Sequence, residues 1–258
     1  MRVRFVGSGD AFGSGGRWQT CIHLSGGGQV LLVDCGATSL AALKAQGLDP
    51  NAVGAVAVSH LHGDHFGGLP FLILDGQFSR RSDPLLVAGP PGTRARLTEA
   101  METLFPGSSG VQRRFEVQVR ELAADGTPAE LGAATVRGWE VEHPCGAPPL
   151  ALRVELDGVT FAYSGDTQWT PGLADAARGA DLFAVEAYTF DRPVRYHLDY
   201  QSLRDHLGDL GAQRVVLTHM SGAMLSRLAD ADLPAAYDGM TIDLPGRSEP
   251  ADKGREST

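Results

Sequence analysis

Ser59-His60-Leu61-His62-Gly63-Asp64-His65-Phe66-Gly67-Gly68 sets three imidazoles and a carboxylate within six positions, 60 to 65. The cluster directly follows Val53-Gly54-Ala55-Val56-Ala57-Val58, an apolar, β-branched run that reads as a short buried strand. Gly63 and the Gly67-Gly68 pair read as a loop that opens onto a helix. Histidine and aspartate are poor core fillers, and neighbouring imidazoles repel once protonated. Divalent metal supplies the missing reason for the cluster, because imidazole nitrogen and carboxylate oxygen are the usual ligands of zinc and its neighbours. The competing reading, a polar loop with coincidental histidines, does not account for this density of ligands.

Outward from that stretch, 258 residues suffice for one large domain or two small ones with a sizeable core. We expect a single domain over residues 1–245 and a polar, disordered tail over 246–258. A net charge of -9 opposes a general affinity for nucleic-acid phosphates, although a local basic patch stays open. No apolar run reaches the roughly 18 residues of a membrane span. The start, Met1-Arg2-Val3-Arg4-Phe5-Val6, alternates like a strand and lacks the apolar stretch of a signal peptide. Cys21, Cys35 and Cys145 are odd in number and widely spaced, which argues against a disulfide framework. The expected compartment is the cytoplasm.

The first strand runs into Gly7-Ser8-Gly9-Asp10-Ala11-Phe12-Gly13, whose glycine spacing fails the dinucleotide fingerprint; a tight rim loop is expected instead. Hairpins are expected at 20–33 and, across Asp157-Gly158, at 150–163. Helices are expected at 39–46, 68–78, 93–105 with Thr93 as N-cap, 199–207 and near Met224. Further strands are expected at 84–88, 115–122, 135–141, 181–186, 214–217 and 240–244. Each half of the chain runs through strands and then a strand–helix alternation. That order suits two sheets faced by helices better than one doubly wound sheet. Four strand ends carry a metal-ligand type: the first cluster, His143, Asp166 and His219.

Together His60-x-His62-x-Asp64-His65, His143, Ser164-Gly165-Asp166-Thr167 and Thr218-His219 resemble, in kind and order, the metallo-β-lactamase superfamily. The resemblance implies an α/β (α+β) fold, an αββα sandwich of two mixed β-sheets flanked by helices. It also implies two divalent metal ions, zinc foremost, with manganese, iron or cobalt as alternatives. His60, His62 and His143 would hold one ion; Asp64, His65 and His219 would hold the other, with Asp166 bridging. The implied chemistry is hydrolysis by a metal-bound hydroxide. Asp64 would also orient or deprotonate the water.

Within the superfamily, two features resemble the branch of transfer-RNA 3′-processing endonucleases and cyclic-phosphate phosphodiesterases. Asp166 stands where true β-lactamases place cysteine. Val185-Glu186-Ala187-Tyr188 followed by His197 resembles that branch's glutamate–histidine pair, in which the histidine protonates the leaving oxygen. Here His197 lies in Tyr196-His197-Leu198-Asp199 where the endonucleases favour His-Ser-Thr, so a surface-loop histidine is the rival reading. The endonucleases also carry a long arm between the third histidine and the bridging aspartate. From His143 to Asp166 this chain has room for one hairpin only. With the negative charge, that disfavours transfer RNA or other nucleic acid as a partner and favours a small cyclic or nucleotide-like phosphodiester. Rival readings are hydrolysis of a carbonyl substrate (thioester, lactone or β-lactam), transfer-RNA processing, and a non-catalytic metal-binding protein. The family's habit of dimerising makes a homodimer an expectation of the resemblance alone.

His23 reads as a packed strand histidine, His206 as part of a solvated helix face, and Cys145 as too close behind Pro144 to add an eighth ligand. Ser164 lacks the Gly-x-Ser-x-Gly elbow of a nucleophile. Arg17, Trp18, Phe66, Trp169, Tyr188 and Tyr196 are candidates for the substrate mouth, with ordinary packing as the alternative.

Overall fold

The structure is a computed structural model that describes residues 1–246; all but the first residue of the expected tail lies outside them. One sheet contains Arg2–Gly7 (β1), Cys21–Gly26 (β2), Gln29–Val33 (β3), Ala55–Ala57 (β4), Leu85–Gly89 (β5) and Val117–Glu121 (β6). The other contains Ala129–Leu131 (β7), Ala134–Glu140 (β8), Leu150–Leu156 (β9), Val159–Tyr163 (β10), Leu182–Glu186 (β11) and Val215–Thr218 (β12). The last strand, Thr241–Asp243 (β13), returns to the first sheet, giving the orders β13-β1-β2-β3-β4-β5-β6 and β12-β11-β10-β9-β8-β7. Both sheets are mixed: β3 to β6 and β10 to β12 run parallel, and the hairpins run antiparallel.

Three apolar layers follow from this arrangement. Phe5, Leu24, Leu31 and Val33 meet Val136, Leu152, Val154 and Phe161 between the sheets. Leu32, Val56 and Val87 point the other way, against Ser39–Ala45 (α1), Leu69–Phe78 (α3) and Thr93–Leu104 (α4), through Leu43, Ile73 and Leu97. Phe183, Val185 and Leu217 face Pro171–Ala177 (α5), Tyr200–Asp205 (α6) and Gly222–Leu225, through Leu173, Leu203 and Met224. Strands covered on both faces read as unbroken apolar runs, which is why β4 and β11 are visible without alternation. Each Val, Leu or Phe so buried contributes roughly 1.5–3 kcal/mol.

The helix over 93–105 differs from expectation at its start. Gly92, in the left-handed region at φ 92°, occupies the cap position, and Thr93 Oγ1 donates instead to the Pro90 carbonyl at 2.6 Å. Two other glycines fix the joint beneath the histidine cluster. A Cβ on Gly36 would stand 2.2 Å from the Asp64 carbonyl oxygen, and one on Gly68 would stand 2.2 Å from the Gly36 carbonyl oxygen. Only hydrogen fits at these contacts, so the loop after β3 is pressed against the loop after β4.

Candidate active site

Parallel strands bring their carboxyl ends to one edge, and the sequence places a polar loop at each of those ends. After β4 come His60 and His62, then a single helical turn, Gly63–Phe66 (α2), carrying Asp64 and His65. His143 follows β8, Asp166 follows β10, Glu186 ends β11 and His219 follows β12. His197 lies in the loop between β11 and α6. Ligand atoms of His60, His62 and His143 lie within 4.8 Å of one another, as do those of Asp64, His65, Asp166 and His219. Asp166 stands between the two sets. Its Oδ2 is 4.0 Å from Nε2 of His60, 4.0 Å from Nε2 of His143 and 3.4 Å from Nε2 of His219. Its Oδ1 is 3.3 Å from His65 Nε2.

The surrounding hydrogen bonds decide which nitrogen faces inward. His143 Nδ1 donates to the Tyr196 carbonyl at 2.9 Å, so its Nε2 is left with a lone pair. His65 Nδ1 donates to Asp34 at 2.6 Å. Ser59 Oγ donates to Asp34 at 2.7 Å and accepts from His60 Nδ1 at 3.1 Å. Asp34 is therefore a buried hub: it also accepts the Ser59 amide at 2.7 Å and holds two histidines in register. In the sequence Asp34 reads only as a strand end; its one signal is a carboxylate placed directly after a buried apolar strand. Asp34, Tyr196 and His219 all adopt positive φ, at 59°, 69° and 52°. Such backbone costs about 1–3 kcal/mol per residue and concentrates at functional sites.

With those tautomers the donor set fits divalent cations. His62 Nδ1 lies 3.0 Å from His143 Nε2, and His65 Nε2 lies 3.3 Å from His219 Nε2. Acceptor nitrogens brought this close need a cation or a proton between them. Among the described residues, His60 Nε2, Asp166 Oδ1 and His219 Nδ1 are buried without a hydrogen-bond partner. Burial, together with the neighbouring imidazoles, pushes the His60 imidazole well below its usual range. Burial likewise lowers His62 and His143, which keeps them neutral as ligands must be. Against the cost of burial, His219 and His65 hold the Asp166 carboxyl well below the usual carboxylate range. If Asp34 holds this set together, Asp34→Asn should weaken metal affinity about 10–100-fold, as loss of a ligand's hydrogen-bond partner commonly does. Titration of the apo protein with zinc against a competing chelator would measure it; unchanged affinity would remove Asp34 from that role.

On the other wall, His197 Nδ1 donates to Glu186 Oε2 at 2.9 Å. Glu186 is fully buried, and its Oε1 accepts the Thr167 amide and, at 3.4 Å, the Leu198 amide. Burial opposes a charged His197, but the bond to Glu186 prevails and its pKa is raised. The Tyr188 ring stacks on the His197 ring with centroids 4.4 Å apart. Both sets of ligands open into a cavity of about 190 Å³ lined by His62, Asp64, His143, Asp166, His197 and His219, with Tyr188, Ala11 and Phe12 at its side.

Of the mouth candidates, only Tyr188 lines that cavity, though the Tyr196 carbonyl holds His143. Phe66 is buried, and Trp169 stacks on His206 at 4.0 Å. Arg17 donates to the Ala236 carbonyl. His23 sits in β2 paired opposite Leu32, His206 bonds Asp209 at 3.0 Å, and Cys145 Sγ bonds the Ala147 carbonyl. Phe12, which no sequence pattern singles out, also stands at the cavity. All three cysteines are free and buried. Among the described residues no helix is long and apolar enough to cross a membrane.

Comparison with known proteins places these features in a family. A ribonuclease Z of Mycobacterium marinum is 28% identical over 252 residues, covering 89% of this chain and 90% of that protein. A Mycobacterium tuberculosis protein named uncharacterized protein Rv1339 is 32% identical over 215 residues, covering 81% and 76%. Among solved structures, the short form of human tRNase Z superposes with a TM-score of 0.77 at 26% identity, covering 95% of this chain and all of that one. A diphosphatase of the PhnP family superposes at 0.73 and 17% identity, covering 95% and 98%, a likeness of fold. The family model described as "Anti-Pycsar protein Apyc1" matches residues 1–232. The chain thus belongs to the anti-Pycsar protein Apyc1 family, and is a metal-dependent hydrolase of the tRNase Z and phosphodiesterase branch of the metallo-β-lactamase fold.

Proposed function

We propose that the chain is a phosphodiesterase acting on a small cyclic or nucleotide-like phosphodiester. Two divalent ions, zinc foremost, would be held by His60, His62 and His143 and by Asp64, His65 and His219, with Asp166 shared. Bound there, divalent cations activate water near neutral pH and neutralise charge on phosphoryl oxygens. Asp64, which lines the cavity, would orient the water or take up its proton. His197, held by Glu186, gives its Nε2 proton to the departing alkoxide as the phosphorus–oxygen bond breaks. Tyr188, packed on the His197 ring, keeps that ring aimed at the cavity.

The observation that carries this reading is the Glu186–His197 pair facing the ligand sets across one cavity. An alkoxide is a poor leaving group and needs a proton; a thiolate leaving from a thioester does not. The preference for a small substrate rests on two further facts. His143 and Asp166 are joined through one short hairpin, β9–β10, and the net charge is -9. Both weigh against a long polyanion, even though relatives carry the name ribonuclease Z.

The test is hydrolysis of bis(p-nitrophenyl) phosphate by protein reconstituted with zinc or manganese. Metal-dependent release of nitrophenol is expected, and none from the apo protein. Two ions bound per chain with no release would overturn the reading and turn attention to thioesters and lactones.

A further inference from the structure

Phe12 is 84% exposed, at the side of a cavity whose lining is dominated by the histidines and aspartates, with Ala11 and Tyr188 beside them. Single exposed apolar residues are common and need no explanation. This one is held in place. Asp10, 1% exposed, accepts the Phe12 amide at 3.2 Å, the Ser14 amide at 2.8 Å and the Ser14 hydroxyl at 2.7 Å. Gln19 Nε2 donates to the Ala11 carbonyl at 3.0 Å, and Gly13 turns the chain in the left-handed region at φ 68°. A buried carboxylate thus holds the Phe12 amide and Ser14, and a side-chain amide holds Ala11. The ring neither packs into the core nor folds over the ligands.

The cavity beside it, about 190 Å³, is smaller than the roughly 300–1,000 Å³ that enclose a drug-sized ligand. It has room for the phosphodiester and part of its sugar. Whatever else the substrate carries must lie at the mouth, where Phe12 offers an open aromatic face. Resting on the phosphodiesterase reading, we propose that Phe12 is a stacking platform for a planar heterocyclic base. Base–aromatic stacking is worth about 1–3 kcal/mol, and it tolerates different bases because each has a π face.

The experiment compares the metal-loaded wild type, Phe12→Ala and Phe12→Trp on two substrates: a nucleoside cyclic monophosphate and the same cyclic ribose phosphate without its base. For Phe12→Ala the KM for the nucleoside substrate should rise about 5- to 100-fold, with kcat within about twofold. Its kinetics on the baseless substrate should match wild type, and Phe12→Trp should restore a low KM. Wild-type KM values in Phe12→Ala, or an equal loss on both substrates, would overturn the stacking role while leaving the phosphodiesterase reading intact. Failure of the wild type to turn over either substrate, or bis(p-nitrophenyl) phosphate, would remove that reading and the stacking role with it. Because Phe12 is exposed, its truncation is expected to leave Tm within a degree or two of wild type, and a thermal melt checks this.

Discussion

Asp166→Ala is expected to lower turnover of any phosphodiester by about 10³-fold or more. The expectation follows from geometry: among the described residues no other carboxylate lies between both ligand sets, with one oxygen near His60, His143 and His219 and the other near His65. Removing it would leave both ligand sets without the carboxylate they have in common, in a buried site where uncompensated charge is costly. Several kcal/mol of transition-state stabilisation would go with the second cation, and each 1.36 kcal/mol is tenfold in rate. Metal content should fall from two ions per chain toward one or none. The rise in Tm that zinc produces in the wild type should shrink accordingly, because ligand-linked stability follows occupancy. Asp166→Asn separates the causes. It keeps the shape but removes the charge and turns one acceptor oxygen into a donor, so it should lose metal and activity while the apo form melts near the wild type. Elemental analysis, calorimetry of apo and zinc-loaded protein, and the nitrophenol assay read the three effects. Two ions bound and activity retained in Asp166→Ala would refute the shared position.

What the linear sequence discloses is set by where each residue's partners lie. β4 and the histidine cluster are legible because strand and ligands are contiguous and their pattern has no structural use. The β9–β10 hairpin is legible because Asp157-Gly158 is a local turn signal; Asp157 indeed takes φ 56°. β7, only three residues long, and α5, begun by Pro171 after an uncapped Thr170, carry too little local signal and are found only in the fold. Within the site, the seven ligand-type side chains were named from their chemistry, and the fold brings them together. The supports were harder to see. Asp34 reaches Ser59 and His65 across the sheet, and Tyr196 acts through a backbone carbonyl that no residue type announces. Phe12 is not legible because a lone aromatic in a glycine-rich loop has no pattern; its position beside the cavity exists only in three dimensions.

His197→Ala should reduce activity by an amount that depends on the leaving group. With an alkoxide leaving group, as in a nucleoside cyclic phosphate, the loss should be about 10²–10⁴-fold, the usual worth of a positioned general acid. With p-nitrophenolate, a stable anion that departs without a proton, the loss should be under about tenfold. A residue that merely shaped the cavity would affect both substrates alike. There is a rival role, because ligand atoms of His197, Glu186, Asp166 and His219 also lie within 4.8 Å of one another, so His197 could serve as a metal ligand. The hydrogen bonds argue otherwise. His197 Nδ1 is already committed to Glu186, and both Glu186 oxygens have donors, from His197 and from the Thr167 and Leu198 amides. The pair is satisfied without a cation, and only the His197 Nε2–H is left to act. His197→Ala should therefore retain two ions per chain, whereas a ligand's loss would lower that number. Glu186→Gln should produce a smaller loss with the same leaving-group dependence, since the amide oxygen still orients the ring but no longer favours its protonated form. Equal rates for His197→Ala and wild type on alkoxide-leaving substrates would eliminate the acid and shift the weight to the carbonyl-substrate reading, in which the metals suffice.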